Sequence, residues 1–232
     1  MKALITGASS GIGRDIAREL SKKGYDLVLV SRDEKKLNKV KEELEKENVK
    51  NVDILVNNAG FGDCGNFTKT NLEKELNMIK TNITAYHILT KLYLIDMKKK
   101  GEGKILNVAS IAGFMPGPLM ATYYATKAYI VRLSESIREE LKKEKSNVQI
   151  SILCPGPVST NFNNVANVKF HMREANSQDV AKYANKKLEK GKFYIVPGID
   201  VKLAKLGAKL APAPFVSKIT YKIQKRKLER WG

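Results

Sequence analysis

This chain is poor in cysteine, histidine and acidic residues. With only Cys64 and Cys154, no disulfide framework can staple it, and the cytoplasm is the expected compartment. His87 and His171 are too far apart in sequence to suggest a zinc site, so no metal is expected. No apolar run approaches the length of a membrane span. Lys2 leads straight into Ala3-Leu4-Ile5 and a glycine turn, so the start of the chain is not expected to be a secretory signal. Acidic residues number 24 against 42 Lys and Arg, a formal net charge of +18. That excess is spread along the chain, aromatics make up only 7%, and no nucleic-acid module accompanies it. A solvated, lysine-rich surface is expected, and nucleic acid is not an expected partner.

What the chain does have is length enough for one full core and a regular alternation of strand and helix patterns. Ala3-Leu4-Ile5, Leu27-Val28-Leu29-Val30, Ile54-Leu55-Val56, Ile105 to Val108, Val148 to Leu153 and Phe193-Tyr194-Ile195-Val196 are short strand-like segments. Continuous apolar runs of this kind suit parallel strands covered on both faces. Between them lie amphipathic stretches. Gly11 to Lys23 places Ile12, Ile16, Ala17 and Leu20 on one helical face before Gly24 stops it. Ser31-x-x-Glu34 resembles a capping box that opens a helix through about Glu47. Further helices are expected from about Leu72 to Lys99, from about Thr122 to Lys143, and after a Ser177 cap. The order predicts an α/β fold, a doubly wound parallel sheet with helices on both faces. Residues 1–199 would form it, and residues 200–232 read as a basic amphipathic helical tail of the same domain, broken at Pro212 and Pro214.

Three motifs stand on this frame. The first strand runs into Thr6-Gly7-Ala8-Ser9-Ser10-Gly11-Ile12-Gly13. Gly7 and Gly11 permit a tight turn, Gly13 lets the helix sit against the strand, and the helix N-terminus attracts a pyrophosphate; Ser9, Ser10 and Ile12 of the same turn are expected to bind the cofactor, Ser10 through its hydroxyl. Ser31-Arg32 follows the second strand, where an acid would bind the free 2′-hydroxyl of NAD. Arg32 suits the extra phosphate instead, so NADP(H) is expected in preference to NAD(H). Downstream, Tyr123 and Lys127 lie one helical turn apart and share a face. A phenol titrates near about 10 in water, and a neighbouring ammonium lowers that value. Ser110 ends a strand and can hydrogen-bond a substrate oxygen. A pyrophosphate turn followed by a Ser/Tyr/Lys proton-moving set points to a nicotinamide-dependent carbonyl/alcohol oxidoreductase.

Together with Asn57-Asn58-Ala59-Gly60, Asn82 in Lys80-Thr81-Asn82, and Pro155-Gly156 with Thr160, these residues resemble the classical branch of the short-chain dehydrogenase/reductase family, in its NADP-preferring, bacterial-type oxidoreductase subgroup. The resemblance implies a Rossmann-type fold, NAD(P) dependence and a relay of Asn82, Ser110, Tyr123 and Lys127. Tyr123 would be the acid/base and Ser110 would hold the substrate carbonyl. Lys127 would grip the nicotinamide ribose and tune Tyr123, and Asn82 would hold the water linking Lys127 to solvent. Asn58, Ala59 and Gly60 would lie along the adenosine half of the cofactor, and Pro155, Val158 and Thr160 near the carboxamide. A homodimer or homotetramer is implied as well.

One departure stands out. The family normally places another strand and another helix between the arginine position and Asn57, the strand ending in an Asp that helps hold the adenine. Here one helix, Asp33 to Glu47, fills that interval. The sheet is therefore expected to lose one edge strand and helix, with a flavodoxin-like strand order and the switch point retained. The leading reading is an NADPH-dependent reductase of a small, uncharged carbonyl compound, reversible as an alcohol dehydrogenase. The alternative is a catalytically weak dinucleotide-binding or scaffold protein of the same fold. Substrate-lining residues are expected after Phe61, from Phe114 to Leu119, and from Asn161 to Arg173. The tail, with Lys202, Lys205, Lys209, Lys218 and Lys222 beside Leu203, Leu206, Leu210, Phe215 and Ile219, suits either packing on the domain or a weak contact with anionic lipid.

Overall fold

The computed structural model describes residues 1–31, 52–166, 168 and 174–228. Six parallel strands form one sheet: β1 (Lys2–Thr6), β2 (Asp26–Val30), β3 (Ile54–Asn57), β4 (Gly103–Val108), β5 (Val148–Leu153) and β6 (Tyr194–Ile195). The helices are α1 (Gly11–Ser21), α2 (Leu72–Ile79), α3 (Ala85–Lys100), α4 (Ala121–Lys143), α5 (Phe162–Val165), α6 (Ser177–Glu189), α7 (Ile199–Leu210) and α8 (Ala213–Leu228). The strand order is β2-β1-β3-β4-β5-β6. This is the flavodoxin-like order expected from the short interval after β2. Among the described residues no strand lies outside β2; the expected helix from Asp33 to Glu47 and its capping box lie outside the described residues.

Strand side chains alternate between two cores because the strand period is two. Ile5, Val56, Leu106 and Leu153 meet Ile16, Ala17 and Leu20 of α1 and Val180, Ala184 and Leu188 of α6. Leu4, Leu55, Ile105 and Ile152 meet Tyr86 and Met97 of α3 and Ile130 and Val131 of α4. One buried polar chain crosses the sheet into the second core. Asn57 Nδ2 donates to Asn107 Oδ1 at 2.9 Å and to Thr90 Oγ1 at 3.0 Å, and Asn107 Nδ2 donates to Ser134 Oγ at 3.0 Å. On the first face, buried Asp15 accepts from Arg14, Arg18 and Ser177, which ties α1 to α6.

Three boundaries differ from the sequence reading. The long helix expected from Leu72 is broken by a π-helical turn at Lys80–Thr84, where one extra residue per turn is accommodated and Asn82 is turned inward. Asn176 rather than Ser177 caps α6, its side chain accepting from Gln178 N at 2.8 Å, which frees Ser177 for Asp15. The last strand keeps only Tyr194–Ile195, the length over which it pairs with β5.

The tail folds back onto the body. Thr220 Oγ1 donates to Pro116 O at 2.9 Å, and Lys205 Nζ sits 3.2 Å from the Tyr194 ring centroid. α7 buries no residue fully, and Ile199, Leu203, Leu206 and Leu210 all face outward. α8 buries Val216, Thr220, Gln224 and Lys227 while Phe215 and Ile219 are exposed. Its buried side is thus more polar than that of an ordinary packed helix.

Candidate active site

The sheet's strand order reverses beside β1, and the crevice opens at the carboxyl ends of β1 and β3. Gly7 and Gly11 both adopt positive φ, +66° and +56°, which an L side chain rarely takes. Thr6 Oγ1 accepts from the backbone N–H groups of Asn58 and Ala59 at 3.0 and 3.1 Å. Asn58 Nδ2 donates back to the carbonyls of Thr6 and Gly7 at 3.1 and 3.2 Å. These four bonds clamp the end of β3 onto the glycine turn. Gly13 belongs to that clamp and not to the cavity wall: a Cβ there would lie 2.4 Å from Asn58 Nδ2 and 2.5 Å from Gly7 O. The first turn of α1 has no side-chain cap and no acidic residue. Its leading N–H groups are therefore available to an anion, and a pyrophosphate fits this cradle in shape and sign. Ser9 accepts a 2.7 Å bond from Ser31, which stands at the end of β2 where a carboxylate would repel a 2′-phosphate. Arg32 lies outside the described residues.

Ser110 and Tyr123 meet across the cavity from β4 and α4. Ser110 caps the 3₁₀ turn Ile111–Phe114, its Oγ accepting from Ala112 N at 3.2 Å. Burial pushes the Tyr123 phenol up to about 12, and the Ser110 hydroxyl bonded to it pulls the other way. Lys127 is 4% exposed, and burial lowers its ammonium to about 8. Its Nζ donates to Val108 O at 2.9 Å, a carbonyl shared with the Tyr86 hydroxyl, and lies 5.9 Å from the Tyr123 ring centroid. Asn82 is placed differently. Its Nδ2 donates to Phe61 O at 2.9 Å and Thr126 Oγ1 at 3.0 Å, while its Oδ1 accepts from Phe61 N at 3.1 Å. Both amide donors are spent on protein, so this side chain positions the Phe61 loop and α4 against the π turn.

A cavity of about 920 Å³ joins these parts. Gly7, Ser9, Ser10, Gly11, Ile12, Asn58, Ala59, Gly60, Ser110, Tyr123, Lys127, Pro155, Val158 and Thr160 line it; Gly13 and Asn82 stand behind the wall. Of the expected substrate-side residues, Phe61 and Phe162 line it, and Phe162 packs 5.3 Å from the Tyr123 ring. Phe114 does not; it packs in the second core against Tyr194. Sequence reasoning missed Tyr124 and the tail. Val201, Ala204, Ile223, Gln224 and Lys227 of the tail line the cavity. Their signal was hidden because the apolar row Phe215, Ile219, Ile223 looks like the inward face of α8, whereas Ile223 lines the cavity and Phe215 and Ile219 are exposed. Both cysteines are buried thiols raised by desolvation, Cys64 to about 11 and Cys154 to about 12, so neither is an activated nucleophile.

Comparison with known proteins shows the family and the fold. The profile of the short chain dehydrogenase family matches residues 1–51 and 46–169. An uncharacterized oxidoreductase of Staphylococcus epidermidis is 36% identical over 181 residues, 68% of this chain and 78% of its own length. A 3-oxoacyl-(acyl-carrier-protein) reductase of Haemophilus influenzae is 32% identical over 186 residues, 70% of this chain and 76% of its own. A solved short-chain dehydrogenase from Sphingobium yanoikuyae in complex with NADPH aligns at a TM-score of 0.79 with 25% identity, covering 91% of this chain and 96% of that one. A Burkholderia phymatum structure in complex with NAD shares the fold at a TM-score of 0.79 and 23% identity, covering 88% and 91%.

The buried ammonium has a consequence for stability. Folded Lys127 deprotonates near pH 8 and an unfolded lysine near about 10.5. Between those values the unfolded chain holds the extra proton, so this group makes stability rise with pH through that window. Lys127→Met is expected to raise stability at pH 7 by about 1–3 kcal/mol and to flatten the rise between pH 8 and 10. Denaturant titrations at several pH values check both; an unchanged slope would show that Lys127 is not held in this way.

Proposed function

The chain belongs to the short chain dehydrogenase family, oxidoreductases acting on carbonyl and CH–OH groups, and on that premise we propose that it is an NADPH-dependent carbonyl reductase, reversible as an alcohol dehydrogenase. The observation that carries the reading is the convergence of Ser110, Tyr123 and Lys127 with the uncapped N-terminus of α1 on one cavity. When bound, the reduced nicotinamide supplies the hydride that a carbonyl carbon accepts. The protein's part is to hold the carbonyl and deliver a proton. Ser110 donates a hydrogen bond to the carbonyl oxygen, and Tyr123, kept as a neutral phenol by burial, protonates that oxygen as negative charge develops on it. Lys127 stabilises the phenolate left behind and holds the ribose of the cofactor. The Asn82 side chain keeps Phe61 and α4 in register, a positioning role. Ser31, in the place of an acid, together with Arg32 gives preference for NADP(H) over NAD(H).

The substrate is a small carbonyl compound, and the domain, residues 1–199 with the 200–232 tail against it, works in the cytoplasm. Among the described residues no helix is long and apolar enough to cross a membrane. Leu72, Leu76, Leu92 and Ile95 of α2 and α3 are exposed, which supports a homodimer or homotetramer through those helices. Ile199, Leu203, Leu206 and Leu210 of α7, flanked by Lys202 and Lys209, support a weak contact of the tail with anionic lipid.

Tyr123→Phe is expected to lower the reduction rate by roughly 10²–10⁴-fold on any responsive ketone. The same variant should keep calorimetric binding of NADPH tighter than of NADH; full turnover by it would end the proton-donor assignment. Leu92→Glu should shift sedimentation velocity toward monomer, and a wild type already monomeric at micromolar concentration would remove the oligomer. Vesicles containing phosphatidylglycerol should co-sediment with the protein more strongly than pure phosphatidylcholine vesicles, and Leu203→Asp with Leu206→Asp should lose that excess. Equal sedimentation with both lipids would remove the membrane contact.

A further inference from the structure

A helix that packs on a domain ordinarily turns its apolar residues inward. Where α8 meets the cavity, two polar side chains stand beside Ile223. Gln224 is 1% exposed and Lys227 7%, and these two, one turn apart on the same face, line the cavity that holds Ser110 and Tyr123. Gln224 is held at one end, its Nε2 donating to the Tyr124 hydroxyl. Tyr124 in turn stands edge-on to Tyr123, ring centroids 6.0 Å apart, so this polar wall is one ring away from the proton donor. The other end of the amide, Oε1, is buried without a hydrogen-bond partner. Native folds seldom leave a buried acceptor unpaired, and an unpaired one on a cavity wall marks a place for a ligand's donor.

We propose, resting on the carbonyl-reductase reading, that this wall reads a hydroxyl on the substrate, its O–H donating to Gln224 Oε1 and its oxygen accepting from Lys227 Nζ. The substrate class is then a hydroxylated ketone or aldehyde and not a plain hydrocarbon one. A hydroxyl is the smallest group that both donates and accepts, which is what an acceptor and a donor on adjacent turns require. Burial lowers Lys227 to about 8, which still leaves it an ammonium donor at neutral pH. Cys64, close enough to Lys227 to influence its titration, is a protonated thiol and adds no charge to the wall.

The test compares pairs of 2-ketones of equal chain length, one ending in methyl and the other in hydroxyl, by kcat/KM for NADPH oxidation over a range of lengths. The expected result is a preference of about tenfold or more for the hydroxyl member at one length, since a site built to bond a hydroxyl rejects the analogue without it. Gln224→Leu should abolish that preference through KM, and Gln224→Glu, which keeps an acceptor, should retain part of it. Calorimetric titration with the matching diols and mono-alcohols makes the same comparison without turnover. A diol preference that Gln224→Leu removes supports the proposal even where no ketone is reduced, and that combination would overturn the reductase reading alone. Equal handling of both members at every length, or a hydroxyl preference unmoved by Gln224→Leu, overturns the proposal.

Discussion

The clamp between the glycine turn and the end of β3 is the constraint on which the rest of the structure depends. Parallel strands diverge where their order reverses, and the crevice that results is useful only if its two lips are held at a set distance. Thr6 and Asn58 hold them with four hydrogen bonds, and Gly13 lets the amide of Asn58 approach where any side chain would collide. The bonds use the polar groups that the turn would otherwise leave buried and unpaired. They also aim the N-terminus of α1 into the cavity. The anion cradle and the sheet junction are thus one object, so a residue of the motif can be indispensable without touching the cofactor.

At the other end of the cavity, chemistry and stability pull against each other. Tyr123 and Lys127 are both ionisable and both buried, and burial moves each away from its charged form. In the proposed reaction a neutral phenol is the right donor for a carbonyl becoming an alkoxide, and desolvation of Tyr123 suits that role. For Lys127 the same desolvation is a cost to folding, offset in part by the Val108 carbonyl and the faces of the Tyr86 and Tyr123 rings. A protein that kept this lysine only for packing would be more stable with a methionine. Its place at the cavity wall suits the role proposed for it.

The tail supplies one wall of the cavity. α8 offers Gln224 and Lys227 to the cavity beside Ile223 and leaves Phe215 and Ile219 exposed among its lysines. α7 adds an outward row of four aliphatic residues.

Much of this protein was legible in its sequence. Short apolar runs set six strands, the interval between Val30 and Ile54 set the strand order, and local spacing placed Gly7, Gly11, Ser110, Tyr123 and Lys127 in one cavity. Those features are local or follow from chain connectivity, and both are written in residue order. Other assignments needed the tertiary structure. Asn82 faces Phe61 and Thr126 because a π turn rotates it, which no periodicity reveals. Phe114 went to the core and Tyr124 to the cavity although both lie in the expected neighbourhood. The amphipathic pattern of α8 shows which residues share a face, but a helix can present either face to a body whose surface is already polar. Only the packing of α8 over the cavity decided that Gln224 and Lys227 face in, because the cavity, and not the core, is what lies beneath them.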